Sequence, residues 1–66
     1  MQVTINNQPT TCPEGMGLAA LLEAERIQVD RTAIAVNGEI VPRASWADFR
    51  LCEDDEILII QATYGG

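Results

Sequence analysis

The sequence predicts an α+β fold in which a mixed sheet of five strands curls around one helix. Short segments near the start, middle and end of the chain have the alternating or continuous apolar character of strands. One segment between the second and third of these strands carries leucines at helical spacing. An Asn-Gly pair between two apolar segments is the strongest short hairpin signal in the chain. The predicted order is therefore ββαβββ, within a single domain of 66 residues.

The first two strands are predicted to form a hairpin. In Gln2–Ile5, polar and apolar residues alternate, as in a strand that buries one face. Asn6 and Asn7 tolerate the positive φ angles of a tight turn, so residues 10–12 are expected to return as the partner strand. The Pro-Glu-Gly sequence at residues 13–15 ends that strand.

The helix is predicted from the spacing of three leucines. Leu18, Leu21 and Leu22 lie at positions i, i+3 and i+4, which places them in one stripe along a helix. We predict that this helix runs from Leu18 to about Arg26. Gly17 would then lie near the N-cap, where glycine is acceptable but is not the preferred residue.

A second hairpin follows the helix. Ile34-Ala-Val36 and Glu39-Ile-Val41 flank Asn37-Gly38, the typical sequence of a two-residue hairpin turn. Pro42 ends the second arm because proline lacks a backbone donor. Residues 44–49 are predicted to form a short helical turn that packs Trp46 inward.

The last predicted strand, Glu56–Gln61, follows a loop or short strand at residues 50–55. Residues 57–60 are all apolar, so both faces of this strand are hydrophobic, yet one helix covers only one face of a sheet. We therefore expect Leu58 and Ile60 to stay partly exposed and to form a docking patch for another protein. In the alternative interpretation both faces are buried, or these two side chains pack against the loop that carries Trp46.

Composition and charge exclude several classes of function. The chain has 47% hydrophobic residues, a formal charge of −6 and a pI near 4.1. A surface this acidic repels phosphate, so we expect no nucleic-acid partner and no membrane partner, and we expect attraction to a basic protein surface. No segment reaches the roughly 20 apolar residues that a transmembrane helix needs, and no secretion signal is visible, so a cytoplasmic protein is expected.

The residues needed for catalysis are also missing. The chain has no histidine, only one serine and no glycine-rich phosphate loop, so an autonomous enzyme is not expected. Cys12 and Cys52 lack the spacing and the additional ligands of a zinc or iron–sulfur site, and we interpret both as small packing residues. The acidic run at residues 53–56 is interpreted as a solvated turn that also faces a basic partner.

The remaining candidate for chemistry is the carboxylate at the end of the chain. The last strand is followed by Ala-Thr-Tyr-Gly-Gly at residues 62–66, which we expect to be a flexible tail. Fully extended, these residues would reach about 17 Å beyond the sheet. Glycine allows close approach on every side, so Gly65 and Gly66 suit a terminus that enters the active site of another protein.

Three segments together resemble a known family. They are Ala35-Val-Asn-Gly-Glu-Ile-Val-Pro-Arg-Ala-Ser-Trp46, Glu56-Ile-Leu-Ile-Ile and Gly65-Gly66, and they resemble ThiS, the family of sulfur carrier proteins of thiamine biosynthesis. The resemblance covers essentially the whole chain and implies a ubiquitin-like β-grasp fold. It divides the chain into a β-grasp domain at residues 1–61 and a flexible Gly-Gly tail at residues 62–66.

The resemblance also implies a reaction cycle. An E1-like adenylating enzyme (ThiF-like) would activate the Gly66 carboxylate with ATP and magnesium, which act on that partner, since the carrier itself is expected to hold no cofactor or metal. A persulfide sulfur donor would supply sulfur to give a thiocarboxylate, from which a thiazole synthase (ThiG-like) would take it. Gly65 and Tyr64 would thread into the active site, although many relatives have a small or aliphatic residue where Tyr64 stands.

Three other functions fit the same features. The small subunit of molybdopterin synthase shares the fold, the tail and the sulfur chemistry, but donates its sulfur to a pterin. A ubiquitin-like protein modifier would instead become attached to lysines of other proteins. A β-grasp interaction module without chemistry would bind partners through the sheet alone.

Overall fold

The computed structural model describes residues 1–61. They form five strands, one α-helix and one turn of 3₁₀-helix, in the chain order β1 (Gln2–Ile5), β2 (Gln8–Thr11), α1 (Leu18–Ala24), β3 (Thr32–Val36), β4 (Glu39–Val41), the 3₁₀ turn (Arg43–Ser45) and β5 (Glu56–Gln61). The five strands form one sheet in the order β2-β1-β5-β3-β4. β1 and β5 run parallel, whereas the other neighbouring strands are antiparallel. The predicted α+β fold, a mixed five-stranded sheet with one helix, is confirmed.

The first hairpin is tighter than predicted. Asn6 and Asn7 have φ angles of 50° and 69°, so two residues complete the turn and Ile5 pairs directly with Gln8. β2 therefore occupies Gln8–Thr11 rather than residues 10–12. Two asparagines at positive φ are what a two-residue hairpin of this twist requires.

Helix α1 is shorter than predicted because its C-terminus is closed by the backbone. Arg26 has a φ angle of 55° and its N–H donates to Glu23, while the N–H of Ile27 donates to Leu22. This pair of bonds is a Schellman motif, in which Arg26 occupies the left-handed position usually taken by glycine. The helix ends at Ala24 as a result.

The N-terminus of α1 has a backbone cap instead of a side-chain cap. Gly17 is the N-cap residue, as predicted, and it contributes no side-chain hydrogen bond. The first free amides donate to carbonyl groups of the turn that follows the second hairpin, Leu18 to Phe49 at 2.9 Å and Ala19 to Trp46 at 3.3 Å. Since the first amides of a helix lack partners within it, these bonds replace the missing cap and fix the helix against that turn.

The core lies between α1 and one face of the sheet. Its buried side chains come from α1, from the strands β1, β3, β4 and β5, and from the loop between β4 and β5. They include Val3, Leu18, Leu21, Leu22, Ile34, Val36, Val41, Trp46, Leu51 and Ile57. The three leucines that predicted the helix are all buried. Trp46 is buried as predicted, and its indole N–H donates to the carbonyl of Val41 at 2.9 Å.

The segment that carried the family resemblance is explained by local structure. The guanidinium of Arg43 lies 4.5 Å from the centre of the Trp46 ring and donates to the carbonyl of Val29 at 2.6 Å. Arg43 thus covers one side of the buried indole and links it to the loop before β3. The Val-Pro-Arg-x-x-Trp pattern therefore closes one end of the core.

A side-chain clasp joins the second hairpin to the start of β5. Asp55 accepts from the Nδ2 of Asn37 at 2.9 Å and from the backbone N–H of Cys52 at 2.8 Å. The Oδ1 of Asn37 accepts from the N–H of Glu56 at 3.0 Å. The turn at Asn37-Gly38, with φ angles of 53° and 84°, is thereby held against the loop that leads into β5.

Two predictions about polar residues hold only in part. The acidic run was predicted to be a solvated turn, and Glu53, Asp54 and Glu56 are exposed, but Asp55 is only 9% exposed because its carboxylate serves this clasp. Both cysteines were predicted to pack in the interior, but only Cys12 is buried, whereas Cys52 lies exposed in the loop before β5. Asp54, next to Asp55, is exposed and has a φ angle of 67°.

Within residues 1–61, no helix has the length and apolar character that crossing a bilayer requires.

We predict that the clasp contributes measurably to stability. Asp55→Ala should lower the free energy of unfolding by about 1–3 kcal/mol, because it leaves two donors without their acceptor. The matched control Asp54→Asn, at the exposed neighbouring position, should change it by less than about 0.5 kcal/mol. Urea denaturation of the two variants and the parent checks both values. Equal stability of all three proteins would contradict the clasp.

Candidate functional site

The last strand presents an apolar surface on the side of the sheet opposite the helix. Along β5, Ile57 is 2% exposed, whereas Leu58 is 48% and Ile60 is 41% exposed. Successive side chains of a strand point to opposite faces, so Ile57 joins the core while Leu58 and Ile60 point away from it. The predicted exposure of these two residues is confirmed. The alternative, in which they pack against the loop that carries Trp46, is wrong, since Trp46 belongs to the core on the opposite face.

Neighbouring strands extend this surface. Ala35 of β3 lies opposite Leu58 on one side and opposite Ile40 of β4 on the other, and Ala33 lies opposite Ile60. Ile40 is 59% exposed. We call this surface the outer patch, and it consists of the exposed Ile40, Leu58 and Ile60 together with half-buried Ala33 and buried Ala35 between them. The exposed apolar area of the outer patch therefore comes from its three large side chains.

Ile40 was not predicted as part of a functional surface. Its own strand has only three residues, so its pattern is too short to assign a face. The register supplies the missing information, because Ala35 pairs with both Ile40 and Leu58 and these residues therefore share a face. A sequence argument that had aligned the two arms about Asn37-Gly38 would have found it.

The outer patch has an acidic residue at one end and the last described residue of β5 at the other. Exposed Glu56 precedes Leu58 and Ile60 on the same face of β5. At the other end, Ile60 is followed by Gln61, the last described residue, which pairs with Thr32. An apolar partner surface with a basic rim would complement this arrangement, and it would lie beside the point where residues 62–66 begin.

The predicted site residues divide into two groups. Leu58 and Ile60 are brought together on the outer patch. Tyr64, Gly65 and Gly66 lie outside the described residues. Among residues 1–61, no cluster of three or more Cys, Asp or Glu side chains is arranged to hold a metal ion.

Comparison with known proteins identifies the family. The sequence model of the ThiS family matches residues 3–66, which include all of the sheet except Gln2, together with the Gly-Gly end. The chain belongs to the ThiS family. The prediction from the sequence resemblance is therefore confirmed.

Individual relatives are similar to this chain in sequence or in fold. The sulfur carrier protein ThiS of Escherichia coli K12 is 36% identical over 66 residues, and the alignment covers 100% of both chains. The crystal structure of the thiamine biosynthesis protein ThiS from Geobacter metallireducens superposes with a TM-score of 0.88 at 25% identity, with full coverage of both chains. An NMR structure of a thiamine biosynthesis protein from the same organism gives a TM-score of 0.75 at 23% identity and covers 88% of that chain. The ubiquitin-like β-grasp fold predicted from the sequence is consistent with these neighbours.

We predict that the two faces of β5 respond differently to mutation. Ile57→Ala should lower the free energy of unfolding by about 2–5 kcal/mol because it opens a cavity in the core. Leu58→Ala, one residue further along the same strand, should cost less than about 1 kcal/mol because the side chain is half exposed. Chemical denaturation followed by circular dichroism measures both. A larger loss for Leu58→Ala than for Ile57→Ala would reverse the assignment of the faces.

Proposed function

We propose that this chain is a sulfur carrier protein of thiamine biosynthesis, and that the carboxylate of Gly66 is the group that carries the sulfur. The observation that supports this most strongly is the family match, which extends through residue 66. The relative from Escherichia coli that matches over its full length is itself named a sulfur carrier protein. The chain acts in this proposal as a protein substrate of other enzymes and is not a catalyst.

The chemistry follows from the properties of a carboxylate. A terminal carboxyl group has an unperturbed pKa near 3.5, so at neutral pH it is ionised and is a poor acyl donor. An E1-like adenylating enzyme (ThiF-like) would join it to the AMP part of ATP with release of pyrophosphate, using magnesium on the enzyme. The outer sulfur of a persulfide donor would then displace AMP and form an acyl disulfide on Gly66. Attack of a second thiol on the donor sulfur would break the S–S bond, release the thiocarboxylate and leave the donor sulfur in a disulfide with that thiol. A thiazole synthase (ThiG-like) would accept the sulfur and return Gly66 to the carboxylate.

The outer patch is the proposed docking surface for the adenylating enzyme. Leu58 and Ile60 offer exposed apolar area next to Gln61, after which the tail begins. Docking there would hold the start of the tail at the entrance of the partner's active site, where Tyr64 and Gly65 would thread behind Gly66. The formal charge of −6 would speed the encounter with a basic partner. All these partners act in the cytoplasm in this proposal.

We predict that sulfur loading is visible in the mass of the intact protein. Incubation with the adenylating enzyme, ATP, magnesium and a cysteine-derived persulfide source should exchange one oxygen of Gly66 for sulfur. Adding thiazole synthase with its other substrates should restore the original mass, whereas a pterin acceptor with the large subunit of molybdopterin synthase should not. Deletion of Gly66 should abolish loading and leave the thermal stability nearly unchanged. An unchanged mass of the parent protein under these conditions would overturn the proposal.

We predict that the outer patch controls recognition of the adenylating enzyme. Leu58→Gln keeps the net charge but removes exposed apolar area, so the KM for the carrier in ATP–pyrophosphate exchange should rise about tenfold, as expected for an interface residue worth more than 1 kcal/mol. Its kcat should change little, because the reacting end is untouched. Gln8→Ala, on the distant edge strand β2, is the control and should leave both constants unchanged. Equal KM values for the two variants would place docking elsewhere.

A further inference from the structure

Asn6 makes two contacts with β5 at the point where β1 has ended. Its backbone N–H donates to the carbonyl of Ile57 at 2.9 Å. Its side-chain Oδ1 accepts from the backbone N–H of Ile59, also at 2.9 Å. One residue of the first turn thus bonds to two positions of the last strand, 51 and 53 residues further along the chain.

The side-chain bond takes the place of a missing strand residue. In the parallel pair, Thr4 N–H donates to Asp55 and Asn6 N–H donates to Ile57, so alternate residues of β1 face β5. The next amide of β5 on this side is that of Ile59, and a continued β1 would offer it a backbone carbonyl. At Asn6 the chain turns away with a φ angle of 50°, and the amide oxygen of the side chain fills that position.

This bond is the last one on the β1 side of the strand. Within residues 1–61, the edge of β5 that faces β1 forms no hydrogen bond beyond Ile59. The opposite edge stays paired with β3 as far as Gln61. Residues 59–61 are therefore held by β3 along one edge and by the Asn6 side chain along the other. Those residues immediately precede the segment that ends in Gly66.

We propose that Asn6 is a positioning residue for sulfur loading. By fixing Ile59 it keeps the end of β5 in line with the sheet, so that residues 62–66 start from a constant position and direction when the outer patch is docked. This inference rests on the proposed function, because it assigns Asn6 a role in delivering Gly66 to the adenylating enzyme. Asn6 contacts neither ATP nor the reacting carboxylate in this proposal.

Asparagine meets two requirements at this position. The residue must adopt a positive φ, which favours Gly, Asn and Asp over other residues. It must also carry an acceptor on a short side chain that reaches the Ile59 amide. Glycine meets only the first requirement and aspartate meets both, so Asn6→Gly removes the acceptor without backbone strain while Asn6→Asp keeps it.

A matched control is available at the neighbouring residue. Asn7 also has a positive φ, 69°, and its side chain makes no hydrogen bond to another part of residues 1–61. Asn7 lies beside Glu56 and Leu58 of β5 but forms no hydrogen bond with them. Asn7→Gly therefore removes the same kind of side chain from the same turn and leaves the Ile59 bond in place. Comparison of the two glycine variants separates the Ile59 bond from any general effect on the hairpin.

The first measurement is independent of any partner. Amide hydrogen exchange of Ile59, followed by NMR, should be about fivefold faster or more in Asn6→Gly, the effect of losing one neutral hydrogen bond of about 1 kcal/mol. The exchange rate should stay within about twofold of the parent in Asn6→Asp, which keeps an acceptor for the Ile59 amide, and in Asn7→Gly, which leaves Asn6 unchanged. Unchanged exchange of Ile59 in Asn6→Gly would overturn the proposal at its first step.

The second measurement separates positioning from folding. In ATP–pyrophosphate exchange with the adenylating enzyme, Asn6→Gly should lower kcat about fivefold and leave the KM for the carrier unchanged, because the outer patch is intact. This is the opposite of the effect expected for Leu58→Gln. Asn6→Asp should restore most of kcat, and Asn7→Gly should match the parent.

The outcomes distinguish this inference from the proposed function. Faster Ile59 exchange with an unchanged kcat would show that Asn6 is only structural, and the positioning role would be overturned while sulfur carriage stands. A parent protein that is never adenylated would overturn the proposed function, and the positioning role with it, even if Ile59 exchange behaves as expected. A fall in kcat that Asn6→Asp rescues, at constant KM, supports both.

Discussion

The structure depends on the pairing of β5 in the middle of the sheet. This strand joins the two hairpins, since it runs parallel to β1 and antiparallel to β3, and it carries Ile57 into the core between them. A domain of this size buries a limited share of its surface. Within residues 1–61, no second layer covers the far side of the sheet. The same strand must therefore expose apolar side chains on that side, and the outer patch is a direct result of a two-layer fold.

Polar side chains complete the sheet where the backbone alone does not. The Asn37–Asp55 clasp holds the second hairpin to the entrance of β5, and Asn6 holds the first hairpin to its later part. Both asparagines have positive φ angles, so each forms a turn with its backbone and bonds to a distant strand with its side chain. Each hairpin is thus tied to β5 by the residue that creates its turn. This dual use suits a short chain, in which few residues are available for separate tasks.

The sequence predicted those features that depend on local patterns. The strands at Gln2–Ile5 and Glu56–Gln61, the leucine stripe of α1 and the turn at Asn37-Gly38 all follow from periodicity and backbone preference. The exposure of Leu58 and Ile60 followed from counting the faces that one helix can cover. The errors concern contacts between distant segments: Asp55 looks solvated until Asn37 is brought to it, and Ile40 has no partner until the register is known. Arg26 ends the helix early through backbone bonds that composition does not reveal.

The clasp at Asn37 has a consequence for the chemical lifetime of the protein. An asparagine followed by glycine is especially prone to deamidation, because the unhindered nitrogen of the glycine attacks the side-chain amide carbon and expels ammonia. Here the Nδ2 and Oδ1 atoms of Asn37 are bonded to Asp55 and Glu56, which restricts the rotation of the side-chain amide that this attack requires. We therefore expect the clasp to slow deamidation at Asn37-Gly38.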